Sequence, residues 1–182
     1  MRGRDLLVAC VVLLSACGAL TACSSEPAPP PPRPSGIAEI KPCEFFSEDE
    51  LHEYRLHDAA PLTTPGGCMW EGTKFFEDAS TVLVLTLQKH SAEQGVEALG
   101  SRSGERISER SAVNGRRVWR NTTPGTDVTC GLILAIDGSS SAELRLSEFL
   151  GVSDVEPTQQ DLCKGLDELA PRVEEKLPAV RT

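Results

Sequence analysis

Aromatic side chains are scarce: one tyrosine, two tryptophans and five phenylalanines, 4% of the 182 residues. Any core must therefore be built mainly from aliphatic residues. Positive charge is also short. Eighteen Lys and Arg stand against 27 Asp and Glu, a net charge of −9, which argues against a nucleic-acid partner and against adsorption to anionic lipid. The usual signatures of chemistry are missing as well: no Gly-x-Ser-x-Gly elbow, no HExxH and no phosphate-binding loop occurs. His52 and His57 are five residues apart, which on a helix separates them by about 140°. With His90 on a different element, they read as solvated surface residues rather than ligands. The later cysteines contain no close-spaced zinc-type pair. Glu48, Asp49 and Glu50 cluster, but acids are favoured in the first turn of any helix. No repeat of useful length is present, and neither a metal nor a cofactor is expected.

What the chain does have begins at its first residues. Arg2 and Arg4 precede a 14-residue apolar run, Leu6 to Ala19. That run is too short to span a bilayer comfortably and matches the hydrophobic part of a secretory signal peptide. Leu20-Thr21-Ala22-Cys23 then resembles a bacterial lipobox, in which the cysteine thiol takes a diacylglyceryl group and becomes the first residue of the mature protein. Leu14-Ser15-Ala16-Cys17 fits the same pattern, and three observations choose Cys23. The apolar run ahead of Cys17 is only about nine residues, near the lower limit. Residues after Cys17 stay apolar, whereas Ser24-Ser25-Glu26 begin a polar segment. Seven cysteines are an awkward odd number for an exported protein. Cleavage before Cys23 removes Cys10 and Cys17, lipidation consumes Cys23, and Cys43, Cys68, Cys130 and Cys163 remain to pair.

Residues 1–22 thus read as a lipoprotein signal peptide and 23–36 as a lipidated, proline-rich linker. Pro27, Pro29 to Pro32 and Pro34 favour extended polyproline II. At about 3.1 Å per residue, residues 24–35 would hold a domain roughly 35 Å from a membrane. One acyl chain binds a bilayer marginally, and two anchor stably. Losing residues 1–22 removes two arginines and one aspartate, so the charge of −9 becomes −10. The expected location is the outer face of the bacterial cytoplasmic membrane, with the bilayer reached through the Cys23 acyl chains.

Residues 37–182 are long enough for one domain with a real core. Ser47-Glu48-Asp49-Glu50 is a capping box for a helix to about Leu56, with Phe46 and Leu51 as its hydrophobic staple. Ser91-Ala92-Glu93-Gln94 opens a second helix ending near Gly100. Thr158 and Asp161 open a third, whose stripe is Leu162, Leu166, Leu169, Val173 and Leu177; Pro171 is expected to kink it and Pro178 to end it. Thr81 to Leu87 reads as a central strand. Asn114-Gly115 predicts a hairpin between 105–113 and 116–121. Thr129 to Asp137 alternates, and Asp137-Gly138-Ser139 turns into Ala142, Leu144 and Leu146. The order is helix, strand, strand, helix, hairpin, hairpin, helix: an α+β domain with an antiparallel sheet of about five to six strands, packed by N-terminal and C-terminal helices on one side.

Pro42-Cys43 ahead of a short helix, Gly67-Cys68-Met69-Trp70 further on, a late strand cysteine and a final-helix cysteine together resemble a family of actinobacterial surface lipoproteins of unknown function. The resemblance covers the mature chain and implies a small tethered domain, with no catalytic residues to carry over. A more distant similarity is to the two-disulfide extracytoplasmic sensor domains of bacterial receptor kinases.

Four cysteines allow three connectivities. Cys43 lies just before the first helix and Cys68 opens the strand to which that chain returns, which favours Cys43–Cys68. Cys130 shares a strand face with Leu132, Leu134 and Ile136, and Cys163 sits on the stripe of the last helix, which favours Cys130–Cys163. Arg116, Arg117 and Arg120 form the only local basic patch, either a solvated hairpin face or an anion contact. Asn121-Thr122-Thr123 matches a glycosylation sequon by chance. A non-enzymatic surface module that binds an envelope protein or a small ligand is the leading functional expectation. An envelope hydrolase with dispersed catalytic residues, or an accessory subunit of an export or cell-wall complex, is the alternative.

Overall fold

Ser47, Ser91 and Thr158 each accept a hydrogen bond from the backbone N–H three residues on, and the side-chain oxygens of Glu50, Gln94 and Asp161 accept one from the cap's own backbone N–H. These reciprocal boxes start α1 (Glu48–Tyr54), α2 (Ala92–Gly100) and α3 (Gln159–Lys176). The computed structural model describes residues 32–64, 66–76, 81–102, 104–123, 128–148 and 157–180. The expected signal peptide, Cys23 and the first prolines lie outside them. Helix α1 stops two residues short of Leu56, because Arg55 turns left-handed at φ 53°. Helix α3 runs on through the exposed Pro171. Among the described residues no helix is long and apolar enough to cross a membrane.

Seven strands form one antiparallel sheet: β1 (His57–Pro61), β2 (Gly67–Glu71), β3 (Thr81–Gln88), β4 (Arg106–Val113), β5 (Arg116–Thr123), β6 (Thr129–Asp137) and β7 (Ser140–Glu148). Their spatial order is β1-β2-β3-β7-β6-β5-β4. Two meanders, β1 to β3 and β4 to β7, are thus joined along β3 and β7. Asn114 and Gly115 take φ of 48° and 84° and bring Val113 opposite Arg116, as the hairpin requires. The expected five to six strands miss β1. Its sequence, His-Asp-Ala-Ala-Pro, is mostly exposed, carries a bulge and ends in a proline tolerated only at an edge.

The two sheet faces are covered unequally, which corrects the expectation that helices lie on one side. One face carries Leu83, Leu85, Val118, Leu132, Leu134, Leu144 and Leu146, buried against the α3 stripe and, nearer the N-terminus, Phe45, Phe46 and Tyr54. Each fully buried leucine contributes about 1.5–3 kcal/mol. The intervening residues point the other way. Trp119 and Ile133 meet Ala92 and Leu99 of α2 in a second, smaller cluster.

The disulfides join Cys43 to Cys68 and Cys130 to Cys163, the expected pairing. Both close on the α3 face. The Gly-Cys-x-Trp stretch is explained by β2. Cys68 and Trp70 point into the core, where the indole meets Phe46 edge-on at 5.1 Å, and a Cβ on Gly67 would stand 2.5 Å from Leu62 Cδ1 on the opposite face.

Candidate functional site

Helix α2 covers only part of its sheet face, and the uncovered strands form a groove. Its floor is the outward row of β3 and β7. Val84 lies opposite Arg145, and Thr86 opposite Glu143. Leu62, beside Gly67, walls one side; Ala98 and Leu99 of α2, with Arg102 just past its end, wall the other. The main lobe, lined by Leu62, Val84, Thr86 and Ser147, has a volume of about 340 Å³. A smaller lobe of about 110 Å³ runs under α2 against Gln88, His90 and Ile133. Glu143 and Arg145 line both lobes.

The polar groups of the floor are organised among themselves. Glu143 accepts a hydrogen bond from Gln88 Nε2 at 2.9 Å and one from Arg145 Nη2 at 2.7 Å. Its charge is therefore compensated inside the groove. Arg145 spends one nitrogen on that pair, and its side chain is 36% exposed. The exposed Arg102 side chain has no acidic partner among the described residues. His90 turns its Nδ1 to the Ser91 carbonyl at 3.0 Å and packs beside Gly95 at the start of α2.

No protein-family model, curated protein or solved structure matches the chain.

The basic patch expected from Arg116, Arg117 and Arg120 does not exist as one surface, because alternate residues of β5 point to opposite faces. Arg116 is buried under the C-terminal end of α3. It bonds Glu174 at 3.2 Å and the carbonyls of Ala135 and Pro178. Burial pulls its pKa below the ordinary arginine value, against the opposing pull of Glu174. Glu174 is itself only 1% exposed and also accepts from Asn114 at 2.9 Å and from Arg33 at 3.1 Å. Arg117, on the other face, pairs with Glu93 at 2.7 Å and Glu109 at 3.2 Å, its guanidinium 4.6 Å above the Trp119 ring. Arg120 returns to the α3 face and bonds Asp167 at 2.6 Å, a carboxylate it shares with Arg110. All three arginines are paired with carboxylates of the chain: Arg116 buried, Arg120 partly buried and Arg117 half-exposed.

The histidines are placed differently from the helical estimate. His52 is on α1, but His57 opens β1 opposite Glu71. His57, Asp58 and Glu71 bring ligand atoms within 4.8 Å of one another at the exposed sheet edge. The imidazole Nδ1 lies 2.7 Å from Asp58 Oδ2, so two of the three groups are already hydrogen-bonded to each other. Asn121 is 3% exposed in the middle of β5, out of reach of a glycosylating enzyme in the folded domain.

The groove residues escaped the sequence reading. Ser141, Glu143, Arg145 and Ser147 alternate with Ala142, Leu144 and Leu146, a pattern that marks an ordinary water-facing strand surface. Only Leu62 on one side and α2 on the other turn it into a walled site.

Proposed function

We propose that the protein is a bacterial surface lipoprotein, anchored through Cys23 to the outer face of the cytoplasmic membrane, and that its domain is a non-enzymatic binding module using the β3–β7 groove. The observation that carries this is the groove itself: a walled, partly apolar concavity of about 340 Å³ whose charged groups are already oriented. Ligand sites are typically concave, mostly apolar and furnished with a few fixed polar groups. A binding rather than catalytic role is supported by the chemistry of the lining. The described side-chain hydrogen bonds include none from a hydroxyl to a histidine ring, the arrangement that nucleophilic catalysis needs. Glu143 is engaged by Gln88 and Arg145 and is not poised as a base.

The test is site-specific photo-crosslinking in intact cells, with the reactive group at Thr86 in the groove or at Glu168 on the exposed side of α3. Capture of a discrete species from position 86 and not from 168 supports the reading. Identical capture from both, or none, overturns it. The anchor is tested separately: Cys23→Ser should abolish fatty-acid labelling and release the protein from membranes, while Cys17→Ser should not.

A further inference from the structure

We propose that the groove takes a single-chain anionic amphiphile, its hydrocarbon chain lying against Leu62 and Val84 and its acidic head group on Arg145. The inference rests on the groove being a binding site and names what it selects.

Charge gives the first argument. The chain carries 27 acidic and 18 basic residues, yet the groove reverses that balance. Its charged liners are Arg102, Arg145 and the single carboxylate Glu143, and that carboxylate is already bonded to Gln88 and Arg145. Arg102 is left to the ligand, and Arg145 keeps the donors that its bond to Glu143 does not use. A guanidinium with donors to spare recognises a carboxylate or phosphate through charge-assisted bonds.

Shape and lining remove the competing occupants. Both lobes lack phenylalanine, tyrosine and tryptophan. Polyproline segments dock in aromatic-lined grooves, so the chain's own proline run is a poor fit, and stacked bases need the same platforms. An added strand is excluded because the floor strands β3 and β7 are paired with neighbours on both sides. What remains suits a compact ligand with an aliphatic body for the partly exposed Leu62 and Val84. The floor also offers Thr86 and Ser147 as hydrogen-bonding hydroxyls.

The experiment uses calorimetric titration of the mature chain without its lipid-bearing cysteine, residues 24–182, which holds the whole compact unit Pro32–Thr182. Dodecanoate, dodecanol and acetate are the probes, each kept below micelle formation. Dodecanoate should bind. Dodecanol should bind at least tenfold more weakly, and acetate not measurably. Arg145→Gln should weaken dodecanoate at least tenfold, the scale of one lost charge-assisted contact, with its unfolding temperature unchanged. Arg102→Gln, just past the C-terminal end of α2, should weaken it by a smaller factor and guards against a misfolded first variant. Equal affinity for dodecanol and dodecanoate, or an Arg145→Gln protein that binds like the wild type, overturns the proposal. Absence of dodecanoate binding alongside specific capture at Thr86 overturns the ligand class and leaves the binding site standing. Absence of both removes the site as well.

Discussion

The two faces of the sheet are made by the same strands, and they are finished by helices of different reach. Helix α3 has 18 residues and α2 has nine. At 1.5 Å per residue these are about 27 Å and 13 Å long. Seven strands spaced about 4.8 Å apart make a sheet roughly 29 Å wide. The long helix, helped by α1 and the segment around Phe45, seals its face, and that face holds the main core, both disulfides and the buried Arg116–Glu174 pair. The short helix closes only the part over Trp119 and Ile133 and leaves a groove beside it. Stability and candidate function are thus divided between opposite sides of one sheet.

Glu174→Ala should separate the faces most sharply. It removes a buried carboxylate and leaves Arg116 charged with only carbonyl partners, a change that costs about 3–5 kcal/mol. Arg117→Ala, one residue along on the other face, breaks two half-exposed pairs and should cost about 0–1 kcal/mol. Urea unfolding of both variants checks the contrast, and equal losses would contradict it.

Replacing Cys130 and Cys163 together by alanine should lower stability by about 2–4 kcal/mol, because the bridge closes 33 residues of chain. Thermal unfolding should show a drop of several degrees without loss of the fold.

Acid should act on the sealed side through Glu50. Burial by itself would raise its pKa, but the Lys176 ammonium and the Ser47 cap prevail and hold it below its ordinary 4.5. The unfolded chain therefore takes up this proton first as pH falls. The stabilisation is complete above pH 4.5 and disappears as pH drops through the lower folded value. Between pH 6 and pH 3, wild type should lose more stability than Glu50→Gln; parallel losses would dismiss the role of Glu50. Partial exposure keeps this effect small.

Ser147→Ala, on the open side, should stay within about 0.5 kcal/mol of wild type while altering ligand affinity. A larger stability loss would mean that the groove floor is structural.

Elements whose signal is local were legible in the sequence. All three capping boxes, the Asn114-Gly115 hairpin and the α3 stripe depend on residues within a few positions of one another. The disulfide pairing was also accessible, since Cys130 and Cys163 lie on apolar faces that have to meet. Strand β1 gave no signal, because an exposed edge strand needs no alternation. The fate of the three arginines was hidden because their partners Glu93, Asp167 and Glu174 come from two helices distant in sequence. The groove was hidden for a related reason: nothing around Ser91 says which face of the sheet α2 will take.

The seam between β3 and β7 has a kinetic consequence. Every other strand pairing joins neighbours in sequence and closes through a short connection, whereas Gln88 must find Ser141 and Thr81 must find Glu148. Closing that long loop has the largest entropic cost of any strand pairing in the fold. Each disulfide staples one meander, and neither crosses the seam. Oxidation can therefore be complete in both halves before they dock. The species most exposed to mispairing is a fully bridged chain whose β3 and β7 edges are still open.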